Sequence, residues 1–317
     1  RYIHSGGVVK IAIVGMGAMG SLFAYFFHQA GYTLWLLDNH DGRVDAIRRE
    51  GLTVETPAGK HHISWSTVTT KPKKIGQVDL IIIAVKAYDT ELAMEGAAPL
   101  LGDKTVVLTL QNGLYNIERI TRITGKNRVL GGTTAHGATQ LSHAHIRHAG
   151  SGETVIGVLP GEQVLHVNVV GDLLNCSGVK TRVTDDVNGA LWTKLLINAA
   201  INPLTALTRL PNGEIAECSE LVDVQRRVVE EACAVAKQKG ILIHFPDPVA
   251  KVMEVCKATA TNRSSMLQDI LNGKKTEIDY INGAIVAEGT SCGVATPYNQ
   301  ILTRLVKALE IQQGSQS

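Results

Sequence analysis

Lys10-Ile11-Ala12-Ile13-Val14-Gly15-Met16-Gly17-Ala18-Met19-Gly20 is the stretch whose reading decides the fold. A short β-branched run ends in glycines, and an apolar helical stretch, Leu22 to Ala30, follows and closes at Gly31. Gly15 suits a tight turn, Gly17 lets a backbone approach a pyrophosphate, and Gly20 lets a helix pack on the strand. The helix N-terminus adds free N–H groups and positive potential. A lone GxGxxG is a weak signal, but between a strand and a helix it predicts a dinucleotide site. Its candidate contacts are Gly15, Met16, Gly17, Ala18, Met19 and Gly20.

Working outward, Thr33–Leu37, Asp79–Val85 and Thr105–Leu110 read as further strands. Asp79–Val85 is apolar on both faces, as in parallel sheets covered by helices on both sides. Residues 9–184 are therefore expected to form an α/β Rossmann-type dinucleotide-binding domain with a parallel sheet. From Asp185 the β-branched runs vanish. Ala190–Ala200, Leu221–Lys239, Pro248–Ala260 and Thr276–Glu288 read as helices. Pro211-Asn212-Gly213, Phe245-Pro246-Asp247-Pro248 and Asn272-Gly273-Lys274-Lys275 read as breaks between them. Residues 185–317 are thus expected to form a mostly α-helical domain. Arg1–Val8 reads as a loose tail or a non-native remnant, and Gln312–Ser317 as a polar tail that frays.

Composition narrows the function classes. The 317 residues are 44% hydrophobic and 19% charged, with a formal net charge of +2. That balance argues against nucleic acid as a partner. No apolar run reaches a membrane span and no secretory signal is evident, which points to a cytoplasmic location. Cys176, Cys218, Cys233, Cys256 and Cys292 lack CxxC spacing and are expected to be reduced, buried thiols. His143, His145 and His148 suggest metal at first sight. Their spacing fits a strand with one polar face, so no metal is assigned. His61-His62 is expected at a solvated loop or strand edge, and Lys71–Lys74 in an exposed turn.

Asp38 ends the second strand, 18 residues after Gly20. An acidic residue there accepts hydrogen bonds from a ribose and favours NADH, or it serves as a helix cap or turn residue. Arg43 is near enough to pair with a 2′-phosphate instead. NADPH and NADH both remain open on these residues.

In the second half, Lys194 and Asn198 are spaced i and i+4 and share a helix face within an apolar stretch. Buried polar groups need partners. Asn202 precedes Pro203, where the helix is expected to end. Each residue has an ordinary alternative: a snorkelling lysine, a glutamate in a first helical turn at 277, or capping by Asn198, Asn262 or Ser265.

Taken together, these segments resemble the ketopantoate reductase family of the 6-phosphogluconate-dehydrogenase-like superfamily. The resemblance rests on Trp-x-Lys-Leu, two Asn and Pro-Leu-Thr-Ala at 192–206, Ser-Ser-Met-Leu-Gln-Asp at 264–269, and Thr-Glu-Ile-Asp-Tyr-Ile-Asn-Gly at 276–283. Lys86-Ala87-Tyr88, Gln111-Asn112-Gly113 and Thr133-Thr134-Ala135-His136 extend it through the first half. It implies NADPH-dependent reduction of a small 2-keto acid, ketopantoate to (R)-pantoate, for pantothenate and coenzyme A synthesis. It implies Lys194 as general acid, and Glu277 as the carboxylate that orients substrate and lysine and reaches the cofactor. Asn198, Asn202, Ser265 and Asn262 are implied in substrate binding, Asn112 at the cofactor–substrate junction, and Lys86 on the cofactor side. Family members that prefer NADPH often carry Arg near the end of the second strand; here the tract is Leu37-Asp38-Asn39-His40. A related branched 2-keto acid as substrate, or a nucleotide sensor without turnover, are the competing readings. The apolar helical half is compatible with a homodimer.

Overall fold

The structure, a computed structural model, describes residues 9–314. The segments expected to be tails, Arg1–Val8 and the last three residues, lie outside them. The chain divides into two compact units: residues up to Gln111 with Tyr115–Val187, and Asn112–Leu114 with Asn188 onward.

The first unit holds strands β1 (Ile11–Val14), β2 (Leu34–Leu37), β3 (Leu52–Thr56), β4 (Gly59–Ile63), β5 (Val68–Thr69), β6 (Val78–Ile83), β7 (Leu101–Thr109), β8 (Val129–Thr134), β9 (Gly137–Ser142), β10 (His145–Gly150), β11 (Thr154–Gly157) and β12 (Thr181–Thr184). Its helices are α1 (Ala18–Gln29), α2 (Asp41–Glu50), α3 (Thr90–Ala97), α4 (Asn116–Thr124) and α5 (Val167–Cys176). The main sheet runs β12-β11-β8-β7-β6-β1-β2-β5. It is parallel except where β11 pairs antiparallel with β8. Ile11, Ile13, Ile81, Ile82 and Ile83 are at most 1% exposed, as expected of strands covered on both faces. Each such side chain contributes roughly 1.5–3 kcal/mol by burial. Chain order proceeds from β1 outward to β2 on one side and to β6 on the other. The crevice at the carboxyl ends of β1 and β6 is therefore a topological switch point, where ligands bind in such sheets.

A second sheet, β4-β3-β10-β9, was not expected from the sequence. Its central pairing joins Thr53 to His145 across the chain, so no local pattern announces it. His61 and His62 lie on its edge strand β4, as anticipated. Lys71–Lys74 forms an exposed turn, also as anticipated. The histidine cluster disperses. His143 lies in the turn between β9 and β10 and not on a strand, His145 meets Glu55 at 3.1 Å, and His148 meets His136 at 3.2 Å.

The second unit is helical: α6 (Val187–Thr208, whose first residue belongs to the first unit), α7 (Asn212–Glu217), α8 (Ser219–Gln238), α9 (Pro248–Ala258), α10 (Ser265–Leu271), α11 (Asn282–Cys292) and α12 (Pro297–Gly314). Several expectations need correction. The helix α6 does not end before Pro203 but continues through it to Thr208. Thr276–Ile281 is not helical from its start; Glu277 is a bend, one 3-10 turn follows at Ile278–Tyr280, and α11 begins at Asn282. Thr276 explains part of this, because its hydroxyl accepts from Ile278 N at 3.2 Å, a local turn that competes with helix. Pro211 breaks the chain for only a few residues before α7 starts. Gln312–Gly314 is the last part of α12, so the helix extends into the segment expected to be a tail. Of the free cysteines only Cys256 is fully buried; Cys176 is exposed, and the others are half-buried. Cys176 and Cys292 close helices, where surface is easily reached.

Candidate active site

The first unit carries the glycine turn between β1 and α1. Gly15 has φ +95°, and a Cβ on it would sit 2.6 Å from Val85 Cγ1. A Cβ on Gly20 would meet the Gly15 carbonyl oxygen at 1.9 Å, so only glycine lets α1 start this close to β1. Gly17, which precedes the first helical residue Ala18, has nothing within 4 Å of where its Cβ would be. The turn is thus closed by Gly15 and Gly20 and open at Gly17, the cradle an approaching diphosphate requires. The first N–H groups of α1 lack intrahelical acceptors. Met16 is fully buried, whereas Ala18 and Met19 keep part of their surface.

Asp38, 3% exposed, lies beside this turn. Its carboxylate accepts from Met16 N at 2.6 Å, from His40 N at 2.8 Å and from Arg43 Nη1 at 2.7 Å. Asp38 is therefore not the cap of α2. That cap is His40, whose Nδ1 accepts from Arg43 N at 3.1 Å. Lys86 is half-buried just beyond β6. The glycine turn, Asp38 and Lys86 follow the carboxyl ends of the adjacent strands β1, β2 and β6. Gln111, which sequence reasoning placed in a motif without a role, ties this edge together. Its Nε2 donates to Val85 O at 2.7 Å and to Thr90 Oγ1 at 2.9 Å.

The second unit gathers the other candidates. Lys194, Asn198 and Asn202 recur every four residues along α6 and so line one side of it. Asn202 is buried; Asn198 and Lys194 are half-buried. The Lys194 ammonium does not snorkel into water: desolvation lowers its pKa to about 8, while the Glu277 carboxylate acts in the opposite sense. Glu277 is itself buried, in the turn before α11 and outside any α-helix, so a helix-dipole role does not explain it.

The adjacent serines separate in role. Ser264 caps α10, accepting from Leu267 N at 3.0 Å, and bonds Thr205 Oγ1 at 2.6 Å. Ser265, half-buried, is the first helical residue and not the cap. Asn262 holds the start of α7 through its backbone, its carbonyl accepting from Asn212 N at 2.9 Å. Asn112 belongs with this unit although it follows β7 of the other. Leu114 N donates to Tyr280 O at 3.1 Å, and a Cβ on Gly113 (φ +81°) would come within 2.5 Å of that oxygen. The segment bearing Asn112 is thereby fastened to the segment bearing Glu277. Asn282, Thr205 and Ser264 are structural groups the sequence reading missed; only their membership of the quoted motifs marked them.

Among the described residues no group of three or more His, Cys, Asp or Glu is placed to hold a metal ion. No described helix is long and apolar enough to cross a membrane.

Residues 11–161 match the family described as ketopantoate reductase PanE/ApbA, and residues 186–310 match its C-terminal counterpart. The chain belongs to the ketopantoate reductase family. Membership makes it an oxidoreductase of the class acting on a CH–OH group. It is 35% identical over 303 residues to the 2-dehydropantoate 2-reductase of Archaeoglobus fulgidus, covering 96% of this chain and 98% of that protein. A PanE/ApbA family ketopantoate reductase from Ralstonia eutropha JMP134 superposes with TM-score 0.88 at 32% identity, covering 96% of this chain and all (100%) of that one. D-mandelate dehydrogenase in its ternary structure with NADH and anilino(oxo)acetate superposes with TM-score 0.90 at 29% identity, over 96% of this chain and 100% of that one. The expected α/β Rossmann-type unit followed by a helical unit is the architecture these ketopantoate reductases share.

Proposed function

We propose that this protein is a 2-dehydropantoate 2-reductase that reduces ketopantoate to (R)-pantoate with NADPH, Lys194 serving as the general acid. The observation that carries the proposal is the α6 lysine whose burial brings its pKa to about 8, opposed by the buried Glu277 carboxylate. A lysine poised near neutrality is charged enough to stabilise an oxyanion and acidic enough to give up its proton.

The residues fit a dinucleotide: Gly15 and Gly20 close the turn, Gly17 leaves it open, and Lys86 lies along the same sheet edge. When bound, the reduced nicotinamide supplies the hydride for the ketone carbon. The chain's own groups manage the charge. Negative charge grows on the ketone oxygen, and the Lys194 ammonium stabilises it and then transfers its proton to it. Glu277 keeps that ammonium charged and orients it and the substrate hydroxyl. Asn198, Asn202 and Ser265 supply neutral donors for the substrate carboxylate, with Asn262 and Asn112 completing the set. In the cell, pantoate formed in this way feeds pantothenate and coenzyme A synthesis, and a cytoplasmic location suits that role.

NADPH is favoured because Arg43 neutralises Asp38, the carboxylate that would repel a 2′-phosphate. A second reading, NADH-dependent reduction of a related 2-keto acid, draws on the same Asp38 and on the D-mandelate dehydrogenase likeness. A nucleotide sensor without turnover is disfavoured by Lys194, Asn198, Ser265 and Glu277 all being present. Loss of absorbance at 340 nm with ketopantoate, run in parallel with NADPH and NADH, tests the proposal. Saturable oxidation faster with NADPH supports it. Oxidation with another 2-keto acid and not with ketopantoate would replace the substrate, and none with any would leave a sensor.

A further inference from the structure

The helix that bears Lys194 passes through a proline without ending. Pro203 has no N–H, so the carbonyl of Ala199, four residues earlier, loses its helical donor. A buried carbonyl left in that state is costly, and helices usually break or kink there. Here Asn282, the first residue of α11, supplies the missing donor: its Nδ2 donates to Ala199 O at 3.0 Å. At the next residue, Gln225 Nε2 donates to Ala200 O at 3.3 Å.

The orientation of Asn282 is imposed by a chain of acceptors. The Glu231 carboxylate accepts from the backbone N of Tyr298 at 2.8 Å and of Asn299 at 3.0 Å. It also accepts from Asn299 Nδ2 at 2.7 Å, which turns Asn299 Oδ1 toward Asn282. Asn282 Nδ2 donates to that oxygen at 3.0 Å. Flipping the Asn282 amide would set its oxygen against two acceptors, so its N–H must face Ala199. Asn282 and Asn299 are both fully buried. This is more polar structure than a helix-packing contact needs.

Its location supplies the reason. Ala199 follows Asn198 and precedes Asn202, so the tie holds α6 at the level where the Lys194–Asn198–Asn202 row runs along it. Asn282 closes the short segment that begins at Glu277, whose carbonyl accepts from Tyr280 N at 3.0 Å and Ile281 N at 3.1 Å. We propose that Asn282 is a positioning residue for the reduction, holding the Lys194–Asn198–Asn202 face of α6 in register with Glu277 through the carbonyl that Pro203 leaves without a donor. The inference rests on the assignment of Lys194 and Glu277 above.

The test compares the full-length wild type with Asn282→Ala and with the double variant Pro203→Ala/Asn282→Ala, in which residue 203 regains an N–H for Ala199. Turnover with ketopantoate and reduced nicotinamide is measured across pH, together with thermal melting. Asn282→Ala is expected to lose about 10- to 100-fold in kcat, the scale of a small misplacement of reacting groups. Its alkaline pH limb should move while KM for the cofactor holds. The double variant should recover most of the kcat and the limb. Wild-type kcat and pH profile in Asn282→Ala, whatever its melting temperature, would overturn the proposal. So would a double variant no better than the single one. Should Asn282→Ala not fold, the double variant decides: folded and active supports the proposal, unfolded or inactive overturns it. If the wild type itself turns over no ketopantoate, the activity assignment fails separately. The NMR titration of the Lys194 side chain, which needs no turnover, then reads positioning: a shifted midpoint in Asn282→Ala supports it and an unmoved one overturns it.

Discussion

Arg43 Nη1 lies 2.7 Å from the Asp38 carboxylate, and that carboxylate also accepts the Met16 N–H at 2.6 Å inside the glycine turn. One carboxylate thus joins the end of β2, and Arg43 of α2 with it, to the turn that would cradle a diphosphate. The Arg43 Nε is buried without a hydrogen-bond partner, so the guanidinium keeps donor capacity. Arg43→Ala should therefore raise KM for NADPH by roughly tenfold or more, about 1.4 kcal/mol. KM for NADH should change much less. Equal effects on the two cofactors would show that Arg43 does not read the 2′-phosphate.

Lys194→Ala should lower kcat by about 10²- to 10⁴-fold, the usual worth of a positioned general acid. Circular dichroism should stay that of the wild type, because the ammonium already carries a desolvation cost in the folded state. Near-normal turnover in folded protein would remove Lys194 from the mechanism.

The pH dependence follows from the same lysine. Its pKa is lowered to about 8 by burial, and the acid form is the active one. kcat/KM for the keto acid should be level below about pH 8 and fall about tenfold per pH unit above it. Glu277 opposes the lowering, so Glu277→Gln should move this limb to lower pH. A limb that moves upward would reverse the assigned relationship.

Ser264 and Ser265 should part company under mutation. Ser264→Ala removes a helix cap and the bond to Thr205, and should cost about 1–2 kcal/mol of stability, read as a lower Tm. Ser265→Ala should leave Tm close to wild type and raise KM for the keto acid by about 2- to 10-fold. The opposite pattern would exchange their roles.

Gly113→Ala places a Cβ within 2.5 Å of Tyr280 O at a left-handed backbone position. It should destabilise by about 1–2 kcal/mol from backbone strain alone. Displacing Asn112 should also lower kcat/KM. Kinetics unchanged from wild type would separate this loop from the reacting groups.

The first unit's main sheet was legible because its signals are local. Ile11–Val14 and Val78–Ile83 are apolar in every residue that faces the interior, and the glycines sit between a strand and a helix. The second sheet was not legible. Its strands β3 and β10 pair across the chain, and β4 is a polar edge that resembles a loop. The path of α6 was misjudged for a related reason. Pro203 speaks for a helix end, and the group that overrides it, Asn282, lies 83 residues from Ala199, whose carbonyl it serves.

What the amino-acid order determined by itself was therefore the repeating elements, the glycine turn and the set of polar residues able to handle a ketone, because periodicity and residue chemistry are properties of short segments. Which of two neighbouring serines caps a helix, that Arg43 quenches Asp38, that burial brings Lys194 to about 8, and that a proline can sit within the helix bearing it were decided by tertiary structure alone. Desolvation and long-range hydrogen bonds depend on what surrounds a group in space, and a linear pattern carries no record of that.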